Sequence, residues 1–77
     1  MDIHHVHGTE VGFHSGTGDA KEFLQHEGNR HVAEGYLQAA KSSGEAHFYD
    51  AKGQKFKIEH KMGEDGKDIF SINKSHH

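Results

Sequence analysis

The sequence predicts one α+β domain in which a broken helix packs on an antiparallel sheet of three to four strands. Residues 19–42 carry apolar side chains at helical spacing, and after Gly44 the apolar side chains recur at every second position. Glycine, aspartate and asparagine divide the chain into short segments, and proline is absent. A helical region followed by consecutive strands is typical of the α+β class.

Residues 3–14 are predicted to be extended, and two arrangements fit their pattern. In one continuous strand, the odd-numbered side chains from Ile3 to Phe13 share one face. In a tight hairpin, Gly8 turns the chain and Val6 faces Val11. The sequence does not choose between them. Either way, this segment is expected to add to the sheet.

A glycine-rich loop, residues 15–18, precedes the helical region. Such loops hold phosphate groups at helix N-termini in some proteins, but this one lacks the Gly-Lys-Ser/Thr ending of a P-loop. Asp19 would also place negative charge where a phosphate would bind. We therefore interpret the loop as a flexible connection, and Asp19 with Glu22 as a capping box that starts the helix.

The helical region is predicted to break into two helices, about 19–27 and 30–42. Their apolar faces differ in direction by more than a quarter turn, and Gly28-Asn29 lies where the direction changes. Glycine is common just after a helix and asparagine just before one. A single kinked helix, roughly 36 Å long, would extend well beyond the strands that it must cover, so the break is favoured.

The C-terminal part is predicted to form a three-strand antiparallel meander, with turns at 50–53 and 62–67. Three strands with one apolar face are not stable alone, so the helices must cover that face. The predicted core joins residues of the sheet to residues of the helices: Phe48, Phe56, Ile58 and Phe70 or Ile72 against Leu24, Val32, Tyr36 and Leu37.

The chain is expected to be a single small domain, residues 1–77, with residues 75–77 as a disordered tail. It holds only fourteen Leu, Ile, Val and Phe residues, and a core of this size supplies about 3–5 kcal/mol of stability. Cysteine is absent, so disulfides cannot supplement the core. A homodimer is therefore expected.

Charge and hydropathy bear on the expected partners and location. The net charge is −3, all of it within residues 1–43, which offers no surface for phosphate groups, so no nucleic acid partner is expected. Lys55, Lys57 and Lys61 share one strand face without aromatic residues, so we interpret them as a solvated face. No apolar run has the length of a membrane span and no signal peptide pattern is present, which predicts a cytoplasmic protein without a membrane partner.

Ten histidines are the unusual feature of the composition. On one strand, His5 and His7 would lie on the same side about 6.5–7 Å apart, close enough to share a divalent ion. His14, His47 or His60 could supply a third ligand. The sequence thus offers a possible zinc or nickel site at His5, His7 and His14, against the simpler interpretation of solvated histidines.

No enzyme is predicted, because none of the serines lies in a strand–turn–helix motif such as Gly-x-Ser-x-Gly. Two functions remain. The first is a non-enzymatic interaction protein, of the accessory, inhibitor or immunity type, that presents Glu22, Glu27 and Glu34 on an acidic helical face. The alternative is a histidine-based metal-binding or pH-responsive protein. In the latter, a neutral His60 on the core face would make stability fall between about pH 7 and 5.

Overall fold

The computed structural model describes residues 2–75, in which five strands form one sheet with two helices on one face. The elements in chain order are β1 (Asp2–Val6), β2 (Thr9–Phe13), α1 (Gly18–Gln25), α2 (Arg30–Ser43), β3 (Glu45–Tyr49), β4 (Lys55–Met62) and β5 (Asp68–Lys74). The strand order is β1-β2-β5-β4-β3. The α+β class and the C-terminal meander are confirmed.

The sheet differs from the antiparallel sheet of three to four strands that the sequence predicts. Residues 3–14 form a hairpin, so the described residues contain five strands. The sheet is also mixed, because β2 runs parallel to β5 while all other neighbours are antiparallel. Parallel strands need a long crossover, and here the helices together with β3 and β4 provide it. As a result β5 lies in the centre of the sheet.

A two-residue turn, His7-Gly8, joins β1 to β2. Its backbone φ angles are 49° and 89°, and positive values at both positions are the mark of a type I′ turn. This turn matches the right-handed twist of the strands on either side. Val6 pairs directly with Thr9, and Val11 lies diagonally from Val6 on the same buried face.

The predicted break between the helices is confirmed. Helix α1 ends at Gln25, a single 3-10 turn covers Glu27–Asn29, and α2 begins at Arg30. Asn29 acts on the helix before it: its Nδ2 donates to the carbonyl of Phe23 at 2.9 Å. This bond satisfies one of the free carbonyl groups at the end of α1.

The capping box predicted for Asp19 and Glu22 is not formed. Helix α1 begins one residue earlier, at Gly18. The Asp19 carboxylate instead accepts hydrogen bonds from Lys52 Nζ at 3.4 Å and from Gln54 Nε2 at 2.8 Å. A contact with the distant β3–β4 turn has therefore replaced the local one.

The core lies between the helices and one face of the sheet, and it contains the predicted residues except Val32 and Tyr36, of which Tyr36 is half-buried and packs against it. Val32 is 42% exposed, whereas Ala33, Leu37 and Ala40 of α2 are buried. The two alanines bring the helix backbone close to the sheet, and Val32 lies one position outside that face. The buried set is Val6, Val11, Phe13, Ala20, Leu24, Ala33, Leu37, Ala40, Phe48, Phe56, Ile58, Phe70 and Ile72.

Four aromatic rings connect the two helices to β3 and β4. Phe48 lies at the centre, with ring centroids 5.2 Å from Tyr36, 5.5 Å from Phe56 and 6.1 Å from Phe23. All three pairs are stacked at low interplanar angles, a favourable arrangement when the rings are offset. This aromatic cluster holds the end of the molecule at which the candidate site lies.

Two further predictions concern membrane spans and the tail. Within residues 2–75, no helix has both the length and the apolar character to cross a membrane. Of the predicted tail, Ser75 donates its backbone N–H to the carbonyl of Lys55 at 3.0 Å, and residues 76–77 lie outside the described residues.

Candidate functional site

A groove of about 220 Å³ lies where α1, the 3-10 turn and the β3–β4 turn meet. Its floor is mostly apolar and is formed by the half-buried ring of Phe23 and by Ala51. Carboxylates stand around this floor, so we name it the acidic groove. Its lining residues are Asp19, Glu22, Phe23, His26, Asn29, Asp50, Ala51 and Lys52.

Asp50 fixes the shape of the turn on one side of the groove. Its side chain is 8% exposed, and its Oδ1 accepts the backbone N–H groups of Lys52 at 3.0 Å and Gln54 at 2.8 Å. The Oδ2 atom accepts Gln54 Nε2 at 3.1 Å. Gly53 completes the turn with a bond from its N–H to the Asp50 carbonyl at 3.1 Å. A buried carboxylate with this many donors holds the turn in one conformation.

Asp19 ties helix α1 to that turn. The hydrogen bonds from Gln54 and Lys52, together with the charge of Lys52, hold the pKa of Asp19 below its ordinary value of 3.8. Asp19 is therefore ionised at neutral pH, and Lys52 balances its charge at 3.4 Å. The two sides of the groove are joined by this pair, which lies 33 residues apart in sequence.

Two acidic residues of α1 and the 3-10 turn, Glu22 and Glu27, lack such a partner. Both are exposed, and neither takes part in an ion pair among residues 2–75. Glu22 lines the groove, and Glu27 directly follows His26, another lining residue. The third residue of the predicted acidic face, Glu34, does not lie here: it is bonded to Arg30 at 3.1 Å.

A second cleft, of about 370 Å³, lies between α2 and the β2–β5 pair and includes Glu34. It is larger than the acidic groove, but two of its three carboxylates have cationic partners. Glu34 pairs with Arg30. Asp68 accepts His60 Nε2 at 2.8 Å and Lys41 Nζ at 3.2 Å, and these bonds, with the one from His60 foremost, lower the pKa of Asp68. The third, Glu10, is exposed and lies 3.7 Å from the ring of His5.

The three histidines of the predicted metal site are not brought together. His5 lies on the sheet face away from the helices, whereas His7 is in the turn and its Nε2 donates to the carbonyl of Leu24 at 2.7 Å. His14 follows β2, roughly 13 Å along the strand from the residue that pairs with His5.

Within residues 2–75, no group of three or more histidine or acidic side chains has the arrangement of a metal site. Metal binding stays a prediction. Titration of zinc or nickel into the wild type and into a His5→Ala, His7→Ala double variant tests it.

Sequence reasoning missed several residues of the acidic groove. The predicted core included Leu24 but not Phe23, whose half-buried ring packs against the core and lines the groove. Sequence reasoning identified the turn at Asp50 without any sign that α1 would lie against it. No local pattern links Asp19 to Lys52, because the contact depends on how the helix crosses the sheet.

Comparison with known proteins gives no relative for this chain: no protein-family model matches it, nor does any curated protein or solved structure. The residues of the acidic groove are therefore the basis on which a function is inferred.

Proposed function

We propose that this protein is a non-enzymatic interaction protein, of the accessory, inhibitor or immunity type, and that the acidic groove binds its partner. The partner segment would present an apolar side chain next to lysine or arginine. The observation that carries this proposal is the carboxylate of Glu22, which forms no ion pair among residues 2–75 and lies next to Phe23 in a mostly apolar groove.

The groove suits a side chain that is both apolar and positively charged. A lysine or arginine has an apolar stem that packs on aromatic surface while its charged group remains near a carboxylate. The ring of Phe23 can also attract a cation placed over its face. Glu22 at the groove and Glu27 beside it supply the opposite charge, which favours a basic partner and raises the rate of encounter.

The walls of the groove are held in place before any partner arrives. Gln54 donates to Asp19 at 2.8 Å and to Asp50 at 3.1 Å, so one side chain connects the helix to the turn. A site that is already ordered loses less conformational entropy on binding than a flexible one. This arrangement supports binding by a rigid surface.

Most polar groups of the groove already have structural roles, which supports binding over catalysis. Asp19 and Asp50 accept hydrogen bonds that join elements of the fold, and Lys52 contacts Asp19. The Nδ1 atom of His26 accepts the backbone N–H of Gly28 at 3.1 Å. Proton transfer would require these groups to give up those bonds. A cysteine-free chain is also compatible with the reducing cytoplasm, where we place this function.

Two displayed libraries of short peptides would test the proposal directly. One is rich in lysine, arginine and aromatic residues, and the other has glutamate and aspartate in place of the basic residues. We expect enrichment from the basic library only, and we expect affinity to fall as salt is raised. A Glu22→Lys variant should bind the selected peptides about tenfold more weakly, because it reverses the charge beside the ring.

The matched control is Glu64→Lys, which makes the same change in the β4–β5 turn, away from the groove. It should leave the affinity unchanged. Enrichment from the acidic library, no enrichment from either library, or equal effects of the two variants would each contradict the proposal.

A further inference from the structure

The two edges of the sheet differ in how their backbone groups are occupied. Strand β3 forms one edge and β1 the other. Beside β3, Asp50 N–H donates to Gln54 at 3.0 Å and His60 N–H donates to the carbonyl of Gly44 at 2.9 Å, which identifies the hydrogen-bonded pairs of the β3–β4 ladder. Such pairs alternate along antiparallel strands. The backbone groups of Glu45, His47 and Tyr49 therefore point away from β4.

These outward backbone groups of β3 have no hydrogen-bond partner within residues 2–75. The β1 edge is different, because Gln25 Nε2 of helix α1 donates to the carbonyl of His5 at 3.0 Å. That side chain occupies an outward group, and α1 lies against the strand. The β1 edge is thus partly covered by α1, whereas the outward groups of β3 have no partner among the described residues.

The β3 edge also lacks three features that keep strands from pairing in other proteins, namely lysine, proline and a bulge. Strand β3 contains none of these: its residues pair one to one with β4 from Glu45 to Tyr49. Its central residue is His47, which carries no charge in its neutral form. An unprotected edge of regular geometry is a surface on which another strand can add.

We propose that two copies of this chain join through their β3 strands, antiparallel, about a two-fold axis at His47. This alignment places Glu45 opposite Tyr49 of the second copy and Ala46 opposite Phe48. A parallel alignment would place Glu45 against Glu45, and like charges directly opposite destabilise a strand pair. The strand is therefore complementary to itself in one direction. Tyr49 is 54% exposed, and part of its exposed surface would become buried in the dimer.

The two-fold axis places the two His47 side chains opposite each other in the dimer. Lys57 lies opposite His47 on β4, and Lys55 and Lys61 share this side of the sheet with it, against Glu45 and Glu59. A fixed positive charge at position 47 would therefore meet both its own copy and Lys57.

Analytical ultracentrifugation over about 0.01–1 mM protein tests the proposal, since an interface of one short strand is small and its affinity low. At about pH 8 we expect the wild type to sediment as a dimer at the upper end of this range. His47→Lys should weaken dimerisation about tenfold or more at pH 8 by placing two fixed charges together.

A second variant, His47→Pro, removes only an N–H group that points outward, so the β3–β4 ladder survives. The two lost bonds of the symmetric interface should weaken the dimer roughly thirtyfold. The matched control is His5→Lys in β1, at the opposite edge of the sheet. This variant should dimerise like the wild type. Amide exchange at His47 should slow as wild-type concentration rises.

A wild type that stays monomeric at about 1 mM and pH 8 would overturn the proposal. So would a His47→Lys or His47→Pro variant that dimerises like the wild type, or a His5→Lys variant that does not. These outcomes are independent of the acidic groove, because Glu22→Lys leaves the β3 edge unchanged.

Discussion

The two halves of the sheet are held to the helices by different kinds of contact. In the meander half, β3 and β4 pack on the helices through the aromatic cluster centred on Phe48. In the hairpin half, the buried apolar side chains of β1 and β2 are Val6, Val11 and Phe13. Two polar contacts, from His7 and from Gln25, hold the hairpin to α1. The aromatic cluster thus holds β3 and β4 to the helices, whereas hydrogen bonds from two side chains contribute to holding β1 and β2.

This difference predicts that the hairpin half opens first. A hydrogen bond adds about 0.5–1.5 kcal/mol net to stability, whereas burial of a phenylalanine adds several times more. Local opening involves the segments with the least buried apolar surface. We expect amides of β1 to exchange with solvent faster than those of β4.

Removing the ring of Phe56 should have the largest effect. Phe56 is fully buried in β4 and contacts the Phe48 ring. Phe56→Ala should lower the free energy of unfolding by about 3–5 kcal/mol, roughly the whole stability expected of such a domain. Urea unfolding measures this, and Ile69→Ala, at a side chain 46% exposed, is the control. A Phe56→Ala variant with the wild-type midpoint would show that the aromatic cluster does not stabilise the meander half.

A pair of glycine substitutions should have opposite signs. Gly8 lies in the hairpin turn with a φ of +89°, so Gly8→Ala should destabilise the protein by about 1–2 kcal/mol. Gly35 lies in the middle of α2 with open space around it, so Gly35→Ala should stabilise by about 0.5–1 kcal/mol. Thermal unfolding compares them. Amide exchange should speed up in β1 for the first variant only, and a uniform increase across the sheet would argue against a separable hairpin half.

Deleting the hairpin's contact with α1 should have a smaller effect. His7→Ala removes the hydrogen bond to the carbonyl of Leu24. We expect a loss of about 0.5–1.5 kcal/mol, seen mainly as faster exchange in β1 and β2. His31→Ala, at an exposed position on α2, is the control for loss of an imidazole. If both variants behave alike, the turn is not held by this bond.

The smallest expected effect is a change of stability with pH, caused by Asp68 in the meander half. His60 and Lys41 lower the pKa of Asp68, so the carboxylate adds stability that is present above its ordinary pKa of 3.8 and is lost as pH falls below that value. Asp68→Asn should therefore be slightly less stable than the wild type at neutral pH and equal to it in strong acid. Urea midpoints across that pH range measure the difference. A constant difference at every pH would contradict the linkage.

The sequence was sufficient to predict features that depend on neighbouring residues. The break at Gly28-Asn29 and the alternating pattern through Phe56 and Ile58 were confirmed, since both follow from local periodicity. Val32 was misplaced because the helix face that meets the sheet differs by one position from the one that periodicity favoured. The parallel pairing of β2 with β5 has no local signal.

The same distinction applies to the sites. Glu22 and Glu27 could be named from the sequence as exposed helical acids, but the floor and the opposite wall of the groove come from a turn more than thirty residues away. His60 was expected to be a neutral, buried imidazole. Its Nε2 lies 2.8 Å from the Asp68 carboxylate, a contact between β4 and β5 that the sequence did not predict. The loss of stability between about pH 7 and 5 stays a prediction.

The central position of β5 has a consequence for biosynthesis. Because β5 lies between β2 and β4, the strands made earlier cannot form a continuous sheet until the ribosome has released Lys74. Until then, β2 and β4 each present an unpaired edge, and Val11 and Ile58 lie beside the gap. The nascent chain therefore passes through a stage at which chaperones could recognise two apolar strand edges, and β5 closes both when it inserts.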